Sequence, residues 1–139
     1  MHHQFRLSLL QWNPGPARRN PTNIVSGACG KFHAVILQEA SDHVPHISDQ
    51  FMAFTGNTDL AILLNKDTFE PDPIVLTFKA NSTSKGTWGM VLIIVRGLLR
   101  RPSLSLEHRR LHFALYTSTM SSPRNVTLPL IFYDGYMAT

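Results

Sequence analysis

Cysteine is nearly missing from this sequence: Cys29 is the single one in 139 residues. No disulfide can close within the chain, which excludes a small fold stapled by bridges. A disulfide-linked partner is not expected, and a reducing, intracellular setting (cytoplasm or nucleus) is. Long apolar runs are missing too. The longest, Met90 to Val95, suits a buried strand and falls far short of a bilayer span, so no membrane partner is expected. The opening MHHQFRLSLLQWN has no long apolar block followed by small residues, the pattern of a secretory leader. Without such a leader, the sequons at Asn81 and Asn125 read as chance matches. Charge is sparse at 16%, whereas hydrophobic residues make up 43%, a balance that builds a core and excludes a disordered chain. The length fits one domain.

The net charge of +4 is unevenly placed. Residues 1–95 hold seven Lys/Arg and seven Asp/Glu, which cancel, while residues 96–139 hold six Arg and two acids. The whole excess is therefore late in the chain and carried by arginine. Its plain reading is a solvated basic tail, and its functional reading is contact with a phosphate backbone.

Apolar patterning gives an ordered set of elements. Phe5 to Trp12 reads as a strand, stopped by Asn13-Pro14-Gly15-Pro16. A short helix follows to Cys29, with Asn20 or Thr22 as cap, Pro21 in its first turn and Gly30 past its end. His33 to Gln38 is a continuous apolar run, the mark of a strand covered on both faces. Ser41-Asp42 could cap a second helix reaching Phe51, with Pro45 in its first turn. Strands are then expected at Met52–Thr55, Asp59–Asn65, Ile74–Ala80 and Trp88–Val95, joined by turns at Gly56-Asn57, Lys66-Asp67 and Ser82–Gly86. Helices alternate with early strands and hairpins follow, so the expected fold is α/β (α+β), a mixed two-sheet sandwich. Beyond Pro102 the periodicity fades. Residues 1–102 are expected to form a partial domain, and 103–139 an atypical tail without regular structure, in which Leu128 to Tyr133 is apolar but isolated.

Two strand ends carry the candidate chemistry. Asn13 ends the first strand and Glu39 follows the second. If those strands lie side by side and parallel, both side chains reach one C-terminal edge, where open α/β sheets gather ligands. An amide oxygen and a carboxylate are hard donors suited to Mg²⁺. The plainer alternative is a turn residue before proline and a surface acid.

LSLLQWN followed by AVILQEA resembles the opening of the endonuclease/exonuclease/phosphatase superfamily, the deoxyribonuclease I-like fold. In that family the first strand ends in an Asn, usually as a Trp-Asn or similar pair. The second ends in Gln-Glu, whose Glu holds the divalent metal. Here these are Trp12-Asn13 and Gln38-Glu39. Thr58 to Phe69 and Thr87 to Pro102 are similar to the next two strands, so the resemblance covers residues 5 to 102. It implies a Mg²⁺ (or Mn²⁺) ion on Glu39, with Asn13 in the metal and phosphate shell. It also implies a phosphodiester substrate, with nucleic acid as partner, and a retroelement-type endonuclease as the full-length relative. The family's Asp-x-Asn and its Asp-His pair are not found in this chain, and neither His108 nor His112 sits in a family motif. Weak or absent turnover is therefore expected. The alternatives are a non-catalytic nucleic-acid binder using its arginines and an unstable, non-functional product.

The segment after Pro102 departs from the family. Written in permitted codons and read two bases on, Leu111 to Pro129 becomes TFCSVHLHNVVAKKRDAS, an alternating strand and a charged helix start closer to the family pattern. A shift of reading frame between Ser103 and Leu111 is the resulting expectation.

Other residues read plainly. Cys29 has no His/Asp partner pattern and is expected to pack on a helix face. His43 and His46, spaced i, i+3 with no third ligand, read as surface histidines. Arg100-Arg101 reads as an exposed strand end or a phosphate contact, and Trp12 and Trp88 as core anchors.

Overall fold

The computed structural model describes residues 6–56, 58–81, 89–119 and 125–133. Phe5, Asn57, Trp88 and the expected turn at Ser82–Gly86 lie outside them, as does the Asn81 sequon beyond its first residue. The architecture is mixed α+β with two four-stranded sheets. The first contains β1 (Leu9–Trp12), β2 (Ala34–Leu37), β3 (Phe51–Phe54) and β4 (Ala61–Asn65), in the order β1-β2-β4-β3. The second contains β5 (Ile74–Asn81), β6 (Gly89–Leu98), β7 (Arg110–Thr119) and β8 (Asn125–Tyr133), in chain order. Helix α1 (Thr22–Cys29) links β1 to β2, and α2 (Leu106–Arg109) precedes β7.

The apolar runs explain the layering. All four residues of β2 are buried, because Ala34 and Ile36 face the second sheet while Val35 and Leu37 face α1. Strand β4 divides in the same way, with Ile62 and Leu64 inward and Ala61 and Leu63 toward Val25 and Cys29 of α1. The second sheet answers with Ile93, Val95, Phe113 and Leu115, all fully buried between the sheets. Each such apolar side chain contributes about 1.5–3 kcal/mol by leaving water. Gly97 lets the sheets approach closely, since a Cβ there would stand 3.1 Å from Phe69 Cδ1 and 3.2 Å from Leu64 Cδ1.

Three expectations are corrected. The second helix shrinks to a single 3₁₀ turn, Val44–His46. Pro45 sits in that turn and Ile47 is already extended, while the Asp42 side chain is drawn away to bind Ala17 N–H at 3.0 Å. At α1 no side chain caps the helix. Pro21 holds the N-cap position, and the Asn20 amide donates to the Pro14 carbonyl instead. The third correction concerns residues beyond Pro102. Ser105 caps α2 by accepting from His108 N–H, and β7 pairs along its length with β6 and β8. In β7, Leu111, Phe113 and Leu115 alternate onto the core, a period of two that the surrounding Arg, Ser and Thr disguise.

Candidate functional site

Parallel pairing brings the two candidate residues to one edge. Strands β1 and β2 run in register from Leu9 opposite Ala34 to Trp12 opposite Leu37. The ladder continues one step further, where Gln38 N–H donates to the Trp12 carbonyl at 3.1 Å. Gln11 Nε2 bridges the same strands by donating to Gln38 Oε1 at 2.8 Å. Asn13 and Glu39 are the next residues out, and both are exposed.

Glu39 is held in an unusual backbone. Its φ is 48°, in the left-handed region that side chains with a Cβ avoid at a cost of about 1–3 kcal/mol. Its neighbours impose this. Gln38 and Ala40 are buried on either side, Ala40 N–H donates to the Asp59 carbonyl at 2.8 Å, and Ser41 N–H donates to Asp59 Oδ1 at 2.8 Å. The bend turns Glu39 outward. Among the described residues its carboxylate takes no hydrogen bond or ion pair, so its oxygens are open to a ligand.

The loop after β1 is clamped rather than loose. Asn13 Oδ1 accepts from Gly15 N–H at 3.1 Å, an Asx turn closed on a glycine with φ of 72°. His43 Nε2 lies 2.8 Å from the Gly15 carbonyl. A carbonyl only accepts, so this nitrogen carries the proton. The fully buried His43 ring corrects the expectation of a surface histidine; His46 is exposed as expected. His43 Nδ1 is buried with no partner among the described residues, as is the Gln38 amide nitrogen.

Glu39 opens onto a shallow hollow of about 440 Å³, lined also by Arg18, Arg19, Asp42 and Asp59. Two cations and three carboxylates thus face one space. Asn13 shares the sheet edge without lining the hollow. Sequence reading missed Asp59 as a neighbour of Glu39, because its loop reaches this edge only through the pairing of β2 with β4, and missed Asp42, three positions on, because it reads as a helix cap. Nothing in the local sequence marks His43, a buried polar residue in a turn.

The donor chemistry fits Mg²⁺. Glu39 offers free carboxylate oxygens, Asn13 keeps a second lone pair on Oδ1, and Asp42 and Asp59 each spend one oxygen on a backbone N–H. Among the described residues no group of three or more His, Cys, Asp or Glu is placed to hold a metal. Glu39 and the free oxygens of Asp42 and Asp59 are hard donors of the type Mg²⁺ takes, an ion that needs one or two carboxylates with water and substrate for the rest.

Other candidates take structural places. Cys29 is fully buried on α1, and burial pushes its thiol up to about 11, which makes it inert. Arg100 pairs with Glu70 at 3.1 Å and donates Nε to the Lys66 and Phe69 carbonyls at 3.0 Å, clasping the β4–β5 connection. Trp12 is half-buried against the α1 layer. No helix among the described residues is long and apolar enough to cross a membrane. Compared with models of protein families, with curated proteins and with solved structures, the chain matches none.

Proposed function

We propose that this chain is part of a Mg²⁺-dependent (or Mn²⁺-dependent) phosphodiester hydrolase of endonuclease type, built on a deoxyribonuclease I-like sandwich and acting on nucleic acid within the cell. The observation carrying the reading is the parallel register of β1 and β2, which delivers Asn13 and Glu39 to one rim. Glu39 is the metal-holding carboxylate, and Asn13 lies in the metal and phosphate shell. With Glu39 and Asn13 holding it, a divalent ion would supply polarisation of the phosphoryl oxygen and stabilisation of the leaving oxyanion. Arg18 and Arg19 stand beside Glu39 in the same hollow, where they attract a phosphate backbone. His43 and the Asx turn keep the Asn13 loop from drifting. The Asp-x-Asn and the C-terminal Asp-His pair that such chemistry uses are not found in this sequence, so turnover is weak or nil. The two arginines beside Glu39 also support a second reading, a nucleic-acid binder without catalysis.

The test couples metal binding to cleavage. Mn²⁺ binding followed by electron paramagnetic resonance should be lost in Glu39→Ala and weakened in Asn13→Ala. Plasmid nicking, where present, should disappear with it. Mn²⁺ binding unchanged in Glu39→Ala sinks the reading, and salt-sensitive DNA binding with no metal dependence favours the second one.

A further inference from the structure

We propose a second ligand site, unrelated to Glu39, on the outer face of the β5–β8 sheet: a pocket for a phosphate monoester carrying an apolar body. The register of β6 and β7 sets Arg96 opposite His112 and Leu98 opposite Arg110. Residues 95 and 113 of these strands face the core, so Arg96 and Arg110 share the opposite face as diagonal neighbours. Such neighbours stand about 7–8 Å apart, close enough for two long side chains to converge on one anion. Like charges placed together on a sheet repel, and neither guanidinium has a hydrogen bond or ion pair among the described residues. A bound anion relieves that repulsion.

The surroundings define the ligand. Arg96 and Arg110 open onto a hollow of about 390 Å³ whose walls include Ile74, Leu98 and Leu106. Ile74 is 58% and Leu106 48% exposed, so apolar surface waits beside the cations. Of the two acids at the rim, Glu70 is already neutralised by Arg100 at 3.1 Å, which leaves two arginines against Asp72. Guanidinium forks match a phosphate dianion bidentately, and the apolar wall favours an ester with an alkyl or aryl group over bare phosphate.

The pocket lies at the far end of the sandwich from Glu39. Gly97, between Arg96 and Leu98, packs on Leu64, which pairs with Ala34 at the start of β2, whereas Glu39 follows Leu37 at its end. The two sites can therefore fail separately.

Calorimetric titration of the full chain with inorganic phosphate and with phenyl phosphate tests the site, alongside co-sedimentation with phosphatidylcholine vesicles with and without phosphatidic acid. Phenyl phosphate should bind more tightly than phosphate, and Arg96→Ala and Arg110→Ala should each weaken it by about tenfold. The double variant R96K/R110K keeps the charge and loses the forks, so it should weaken binding by a similar factor while leaving the circular dichroism unchanged. Glu39→Ala should bind normally. Binding of phenyl phosphate identifies a soluble ester as the source, and capture by phosphatidic acid vesicles alone identifies a lipid headgroup; either upholds the site. Neither ligand binding, phosphate binding as tightly as phenyl phosphate, or full affinity in R96K/R110K overturns it.

Discussion

Truncating Phe113 to alanine removes a ring that is fully buried between the sheets and meets Phe69 edge-on, with centroids 5.7 Å apart and planes at 81°. A buried Phe→Ala change costs about 3–5 kcal/mol, and an edge-to-face partner places it toward the upper part of that range. A chain of this size has on the order of 7–20 kcal/mol in all, so the single change removes a large share of it. With a urea dependence of about 2 kcal/mol per molar, a loss of about 4 kcal/mol moves the unfolding midpoint down by about 2 M. Tryptophan fluorescence in a urea series reads this directly. Arg110→Gln, on the exposed face of the same strand, serves as the control and should stay within about 0.5 kcal/mol of the parent. The contrast between two residues three apart is the informative quantity. If Phe113→Ala unfolds as the parent does, β7 is no part of the core, and the expectation of a structureless tail from Ser103 stands.

Three further outcomes are expected. Gly97→Ala should lower the thermal midpoint by an amount equivalent to about 1–3 kcal/mol, because its Cβ would press on Phe69 at 3.1 Å; no loss would mean that the sheets stand further apart than described. Burial raises the Cys29 thiol to about 11, above its unfolded value, so its contribution is complete below about pH 8.5 and fades as pH rises through about 11. The parent should therefore lose up to about 3 kcal/mol more than Cys29→Ala between pH 8 and pH 11 in urea melts, and parallel curves would refute a buried thiol. His43→Leu leaves the Gly15 carbonyl without its donor, at a cost of about 1–3 kcal/mol. Amide exchange at Gly15 and Ala17 should accelerate in that variant, and unchanged protection there would show that His43 does not hold the loop.

Much of the first sheet was legible because its strands are short, apolar and bounded by Pro, Gly or Asn. Ala34–Leu37 and Ala61–Asn65 fall within the expected runs, and the edge bearing Asn13 and Glu39 was legible only on the condition that β1 and β2 pair in parallel, which they do. What was not legible depends on contacts distant in sequence. The Ser41–Phe51 segment has helix-start residues, yet Asp42 is recruited by Ala17, twenty-five positions earlier, and the chain turns extended. His43 is buried because the Gly15 carbonyl needs a donor, a demand that arises only when two loops meet. Glu39 adopts φ of 48° because Asp59 ties down the residues after it, again through a separate strand connection. Beyond Pro102 the alternation of Leu111, Phe113 and Leu115 spans too few residues to stand out among arginines, and only pairing with β6 gives it meaning.

The two sheets differ in how completely their sequences are satisfied. Strands β2 and β4 read as continuous apolar runs and are buried on both faces, one against the second sheet and one against α1. Strand β6 reads the same way, GMVLIIVRGL, but among its described side chains burial alternates: Ile93 and Val95 face the core, while Leu92, Ile94 and Leu98 remain half-buried. On the neighbouring β5, Ile74 and Phe78 stay 58% and 52% exposed. A run composed for two buried faces and covered on one leaves apolar surface beside an open strand edge, the combination that favours association over monomeric stability. Arg96 and Arg110 interrupt that same face, placing charge where the apolar surface would otherwise continue. The physical distinction in this molecule is thus between a first sheet whose central strands are covered on both faces and whose edge presents Glu39, and a second sheet whose described outer face carries exposed apolar side chains around Arg96 and Arg110.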